Sequence, residues 1–176
     1  MSNDHELPMD EITDVMGSKI LVVDDEPNNV VLLERLLERE GYSNVISATD
    51  PRVGLDMLKN DQPDIVLLDL MMPEISGFLF MEKMALELGY KIPLPVLVLT
   101  ADMTPESMRK SMSLGVYDFV TKPFDPDEVM LRVRNILESL RLSRELASAT
   151  AALKELEAKM PKPVENEDSE KVIVID

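Results

Sequence analysis

Asp64-Ile65-Val66-Leu67-Leu68-Asp69 is the stretch on which the reading of this chain turns. Residues of strand character lead without interruption into Asp69, so the run reads as a buried parallel strand with a carboxylate at its carboxyl end, where α/β proteins place their sites. The residues that follow, Leu70-Met71-Met72-Pro73-Glu74-Ile75-Ser76-Gly77, form a turn-rich loop that enters a helix running to about Leu88. One acid at one strand end proves little. The question is whether partners arrive at the ends of other strands.

Upstream, Lys19-Ile20-Leu21-Val22-Val23 is a continuous apolar strand that ends in Asp24-Asp25-Glu26, and Pro27 suits the first turn of a helix. Val30, Leu33, Leu36 and Leu37 give that helix an inner stripe, with Gly41 as its stop. Asn44 to Ala48 is a short second strand, and Thr49 or Asp50 caps a helix with Pro51 at its start and Leu55 and Leu58 facing inward. Downstream, 89–95 carries two prolines and a glycine and leads into Val96-Leu97-Val98-Leu99, closed by Thr100 and Ala101. Thr104-Pro105 opens a helix that stops at Gly115; Asp118 to Thr121 is a fifth strand ending in Lys122-Pro123; and Asp125-Pro126-Asp127-Glu128 is the strongest helix start in the chain. Five strands alternating with five helices predict a doubly wound parallel sheet, with the strand ends gathered on one rim by right-handed crossovers.

The last helix outruns what the sheet needs. Val129, Val133, Ile136 and Leu140 face the domain; the apolar phase then shifts to Leu142, Leu146, Ala149, Leu153, Leu156 and Met160, at alternating intervals of four and three, a short heptad seam. Pro161 and Pro163 end it, and the rest is acidic apart from Val172-Ile173-Val174-Ile175.

With 34 acidic against 18 basic residues the net charge is −16, which repels nucleic acid and anionic lipid and argues against direct DNA binding. Zero cysteines exclude disulfides, thiol catalysis and thiolate metal sites. No apolar run approaches a membrane span, the start of the chain carries acids where a signal peptide needs bases, and a cytoplasmic location is expected. The single histidine, His5, lies in a polar leader without neighbours for catalysis, and six scattered glycines offer no phosphate-cradling loop of the kind an ATP-using kinase needs.

The rim gathers Asp24 and Asp25 from the first strand, Asp69 from the third, Thr100 from the fourth and Lys122 from the fifth. Three converging acids repel unless a proton or a cation sits among them, and an oxygen-only set selects a hard ion, Mg²⁺ foremost. A lysine supplies a positive charge for an anion and a threonine hydroxyl a hydrogen bond to one of its oxygens. Together these are the parts for phosphoryl transfer onto a carboxylate. Singly, Asp24-Asp25 reads equally well as a solvated strand end and Thr100 as a core-edge threonine.

The stretch from about Ser18 to Ser139 resembles the receiver domain of two-component response regulators. Ile20-Leu21-Val22-Val23-Asp24-Asp25-Glu26, Asp69-Leu70-Met71-Met72-Pro73, Thr100-Ala101 and Lys122-Pro123-Phe124 stand where that family's motifs stand. The resemblance implies a flavodoxin-like five-stranded sheet in the order 2-1-3-4-5 with helices on both faces. It implies Asp69 as phospho-acceptor and Mg²⁺ held by Asp25, Asp69 and the backbone carbonyl of Met71, with Asp24 helping through water. It implies Lys122 paired with the incoming phosphoryl group, with a cis Lys122–Pro123 bond. It implies a switch in which Thr100 moves toward the phosphoryl oxygens and Phe119 turns inward, shifting the face made by the fourth helix, fifth strand and fifth helix. A core aromatic that never moves is the plainer reading of Phe119. Met71 and Asp102 occupy positions expected to set the lifetime of the phosphoryl group.

The expected organisation is a flexible arm over 1–17, a receiver domain over 18–140, a helical extension over 141–160 and a disordered acidic tail over 161–176. The expected function is a phosphorylation-dependent switch without an output domain, taking its phosphoryl group from a sensor histidine kinase or phosphotransfer protein and passing the signal to an effector protein. Its extended helix would pair with a second copy or a partner, with a solvated single helix as the alternative. Competing readings are the regulatory half of a cyclic-dinucleotide enzyme and a pseudo-receiver scaffold that is never phosphorylated.

Overall fold

The structure is a computed structural model that describes residues 15–88, 94–102 and 104–159. The elements are β1 (Ile20–Val23), α1 (Pro27–Arg39), β2 (Val45–Ala48), α2 (Pro51–Asp61), β3 (Ile65–Leu68), α3 (Gly77–Leu88), β4 (Val96–Thr100), α4 (Pro105–Ser113), β5 (Asp118–Thr121) and α5 (Pro126–Lys159). All five strands are parallel and the sheet order is β2-β1-β3-β4-β5. This is the order expected from the resemblance. β1 and β3 lie side by side with Val23 opposite Leu68, so the residues just beyond both strands emerge next to each other.

Alternation along each strand makes two cores, one on each face of the sheet. Ile20, Val22, Ile65, Leu67, Leu97, Leu99 and Val120 point to the face covered by α1 and α5. Leu21, Val23, Val66, Leu68, Val96 and Val98 point to the face covered by α2 and α3. β1 and β3 are buried along their whole length, which is why both read as uninterrupted apolar runs in the sequence. The α1 stripe is the expected Val30, Leu33, Leu36 and Leu37. On α5 the buried set is Val129, Met130, Val133, Ile136 and Leu137, a wider stripe than the sequence reading drew, and Leu140 is only half-buried. The expected arm over 1–17 is described only from Val15, whose side chain is buried in the core beneath α1 and α5. Residues 1–14, the seam residue Met160 and the acidic tail lie outside the described residues.

Helix starts follow their capping chemistry. The Asp50 carboxylate accepts the Arg52 N–H at 2.8 Å, the Thr104 hydroxyl accepts that of Ser107 at 3.3 Å, and the Asp125 carboxylate accepts that of Asp127 at 2.8 Å. α4 is the most lightly held helix: its only buried residue is Ser111, whose hydroxyl has no hydrogen-bond partner among the described residues. The structure divides into two compact units, one through Arg141 and one from Leu142 onward.

Candidate functional site

Asp24 and Asp69 follow directly on β1 and β3. The hydrogen bond from the Asp69 amide to the Val23 carbonyl, 2.9 Å, continues the strand ladder one step past β3 and fixes where the carboxylate begins. Both side chains are buried, Asp24 at 1 % and Asp69 at 5 % exposure, which for carboxylates demands partners. The Asp24 carboxylate accepts the Glu26 backbone N–H at 2.9 Å and the Asn29 side-chain amide at 3.1 and 3.2 Å, so it also caps the entry into α1. One Asp69 oxygen accepts the Met71 N–H at 3.1 Å. The other Asp69 oxygen and Oδ2 of Asp24 both accept from the Lys122 ammonium, each at 2.7 Å.

With the half-buried Asp25, Asp24 and Asp69 bring carboxylate oxygens within 4.8 Å of one another. Three negative charges against the one positive charge of Lys122 leave two, the charge of one divalent cation. The donors are all oxygen, with no histidine or thiolate among the described residues nearby, so the residues fit a hard ion such as Mg²⁺.

Lys122 hangs from the end of β5, its amide bonded to the Thr100 carbonyl at 2.9 Å, and its bond to Pro123 is cis. Burial pulls the ammonium pKa down, but the hydrogen bonds to Asp24 and Asp69 and their charge outweigh this and hold it above its ordinary 10.5. A lysine pKa raised by folding contributes stability that is fully present below the unfolded value and is lost as pH climbs through the folded value. Lys122→Met in metal-free buffer is therefore expected to lower stability near neutral pH by about 2 kcal/mol, because two buried carboxylates lose their cation. Comparative urea titrations should show that deficit shrinking above pH 10.5. A constant difference across that range would deny the ion pairs this role.

Thr100 is fully buried, and its hydroxyl oxygen accepts the Asp102 N–H at 3.1 Å. Asp102 is occupied in capping α4: the Ser107 hydroxyl donates to it at 2.5 Å and the Thr104 N–H at 3.0 Å, and these bonds hold its carboxyl below the usual range. Phe119 is half-buried against the core under α2 and α3. The Met71 side chain is 60 % exposed beside the site. Thus Asp24, Asp25, Asp69 and Lys122 gather into one cluster, Thr100 ends the neighbouring strand, and Phe119 sits in the apolar layer alongside.

Two further residues escaped the sequence reading. Asn29 orients Asp24; its only signal is an amide in the first turn of the helix that follows the acid. Gly77 lets α3 start directly against the Asp69 loop: its N–H bonds to the Leu70 carbonyl at 3.0 Å, and a Cβ here would fall 2.3 Å from the Asp69 carbonyl oxygen. Glu74, in left-handed backbone at φ 61°, pairs with Arg52 of α2 and pins the same loop from outside.

Residues 20–134 match the response regulator receiver domain family. The chain is 40 % identical over 122 residues to the alkaline phosphatase synthesis transcriptional regulatory protein PhoP of Bacillus subtilis, covering 69 % of this chain and 49 % of that protein. It is 35 % identical over 122 residues to the response regulator SaeR of Staphylococcus aureus, covering 69 % and 51 %. The chain thus spans about half the length of the curated relatives it matches. Among solved structures, the chemotaxis protein CheY4 of Vibrio cholerae superposes with a TM-score of 0.63 at 28 % identity, covering 68 % of this chain and 98 % of that one. With this fold, this cluster of acids around a lysine and these relatives, the chain belongs to the response regulator receiver domains of two-component signal transduction.

Proposed function

We infer that this chain is a phosphorylation-dependent switch in which Asp69 accepts a phosphoryl group and the surface of α4, β5 and α5 reports it to a partner protein. The observation that carries this is the single ammonium of Lys122 held 2.7 Å from both Asp24 and Asp69. A carboxylate poised beside a fixed cation is a nucleophile whose attack on phosphorus gathers negative charge where a positive one already stands. The Asp69 oxygen forms the new P–O bond while the bond from phosphorus to the donor breaks: the imidazole nitrogen of a histidine kinase or phosphotransfer protein, or the oxygen of an acyl phosphate. The leaving imidazole keeps its electron pair, and water later returns the carboxylate and inorganic phosphate.

Lys122 would meet one phosphoryl oxygen. The Thr100 hydroxyl, whose proton is not used in its bond from Asp102, would meet another. Asp25, Asp69 and the Met71 carbonyl would hold Mg²⁺, with Asp24 contributing through water, and the bound ion supplies neutralisation of the phosphoryl charge. Movement of Thr100 toward that group opens space for Phe119 to turn inward. The reporting face carries exposed Met112, Tyr117 and Leu131, with Tyr117 donating to Ser139 at 2.9 Å and Arg132 tied to Asp118 at 2.5 Å. The domain is regulatory, and its chemistry is limited to gain and loss of its own phosphoryl group. The net charge of −16 favours a protein over nucleic acid as effector, and a cytoplasmic site is in keeping with the absence of any described helix long and apolar enough to cross a membrane.

Incubation with acetyl phosphate and Mg²⁺ should add the mass of one phosphoryl group, and chelation should prevent it. Loading with beryllofluoride should then move backbone NMR resonances at Thr100, Phe119 and Tyr117. Absence of any mass gain would favour a scaffold that is never phosphorylated; changes confined to the rim would remove the α4, β5 and α5 face from the reading.

A further inference from the structure

The segment from Leu142 to Lys159 contributes no residue to either core on the sheet, yet it carries an ordered apolar pattern. Leu142, Leu146, Leu153 and Leu156 are 51, 70, 60 and 61 % exposed, and with Ala149 they fall on one line of the helix. Intervals of four, three, four and three average 3.5 residues, the repeat of a helix that winds about another helix, rather than the 3.6 of a helix lying on a globular surface.

Beside that line runs a shallow concavity lined by Ser143, Leu146, Ala147, Thr150, Ala151 and Lys154. Ser143, Leu146, Ala147 and Thr150 stand at i, i+3, i+4 and i+7, the spacing of a four-residue hole, on the flank of the leucine line and sharing Leu146 with it. The same helix thus presents both leucine knobs and a hole floored by small side chains. A surface that carries both halves of its own complement suits a two-fold pairing with an identical surface.

Charge distribution is compatible with the same occupant. Between Leu142 and Lys159 there are three basic residues, Arg144, Lys154 and Lys159, and three acidic ones, Glu145, Glu155 and Glu157, so this stretch is neutral in a chain of net charge −16. Two copies repel each other through the remainder of their sequence and can approach here without that penalty.

We propose that Leu142–Lys159 is a dimerisation seam, and that its occupant is the same segment of a second copy of this chain. The seam is short, so the dimer dissociates on dilution. Because repulsion between acidic chains opposes it and apolar contact drives it, added salt strengthens it, the reverse of what an interface built on ion pairs would do.

Sedimentation equilibrium of the full chain over a concentration series is the test. The expected result is a monomer at the dilute end rising toward twice the chain mass at the concentrated end, with the transition moving to lower concentration when sodium chloride is added. Leu146→Lys/Leu153→Lys should stay monomeric throughout while unfolding at the wild-type temperature, since both residues lie outside the cores on the sheet. A wild-type chain that stays monomeric, a double variant that associates as the wild type does, or growth beyond the dimer would each overturn the proposal. Acetyl phosphate labelling of the double variant keeps this question apart from the phosphoryl chemistry, because the labelled carboxylate and the seam are read by different instruments.

Discussion

Asp69→Asn leaves a folded protein that gains no phosphoryl mass from acetyl phosphate at any Mg²⁺ concentration. The amide keeps the size of the side chain and one oxygen, which can go on accepting from Met71 N–H, so the loop geometry survives; the bond from Lys122 to the second oxygen is lost, and Lys122 keeps Asp24 as its partner. What it loses is the anionic oxygen that would attack phosphorus. Asp24, the other buried acid in the cluster, is no substitute, because its oxygens are engaged by Glu26 N–H, the Asn29 amide and Lys122 at the entry to α1. Intact mass should show complete loss, and thermal unfolding should show at most a small change, since an amide in place of one of three crowded carboxylates also relieves repulsion. A variant that still gains one phosphoryl group would move the acceptor elsewhere and end the reading of Asp69.

The second large effect is expected at Gly77→Ala, a substitution that on composition alone looks harmless at a helix start. The added Cβ would lie 2.3 Å from the Asp69 carbonyl oxygen and 2.7 Å from the Leu70 Cα, both backbone atoms that cannot rotate away. Either α3 lifts from the sheet or the Asp69 loop shifts. The first weakens the packing of Phe80, Met81 and Met84, and the second displaces Asp69 from Lys122. The expected cost is about 3 kcal/mol, toward the upper end for overpacking because the clash is with main chain. That corresponds to a fall in melting temperature of roughly 10 °C for a domain of this size. Labelling by acetyl phosphate should slow on the order of tenfold or more in the fraction that remains folded. Gly17→Ala is the control, since nothing lies within 4 Å of a Cβ there. Equal behaviour of the two variants would mean that the close approach at Gly77 has no energetic weight.

Much of this was legible in the chain because period and position carry it. β1 and β3 announce themselves as apolar runs ending in acids, and a strand buried on both faces has no other way to read. The caps at Asp50, Thr104 and Asp125 follow from local chemistry that needs no fold. What stayed hidden depends on contacts between distant segments. Nothing near Gly77 says that the Asp69 carbonyl will pass within reach of its Cα; and although the strand ends placed Lys122 on the same rim as Asp24 and Asp69, 98 and 53 residues earlier, they did not say that its ammonium would bond both carboxylates directly. Met130 and Leu137 were passed over because the α5 stripe is wider than the four residues that first define its phase. Val15 was missed because one buried residue in a polar leader has no period to betray it.

The light attachment of α4 bears on how much free energy the proposed switch would have to supply. A helix whose single buried side chain is a serine gives up little apolar contact when it is repositioned, so in the proposed switch little buried surface would oppose its movement. Each 1.4 kcal/mol of separation is about a factor of ten in population, and one or two charge-assisted hydrogen bonds are enough to invert a ratio of that size. Such a domain does not wait inert for its signal: a small fraction of unphosphorylated molecules would already occupy the signalling arrangement, and a pathway built on it would carry a basal output set by how loosely this one helix is tethered.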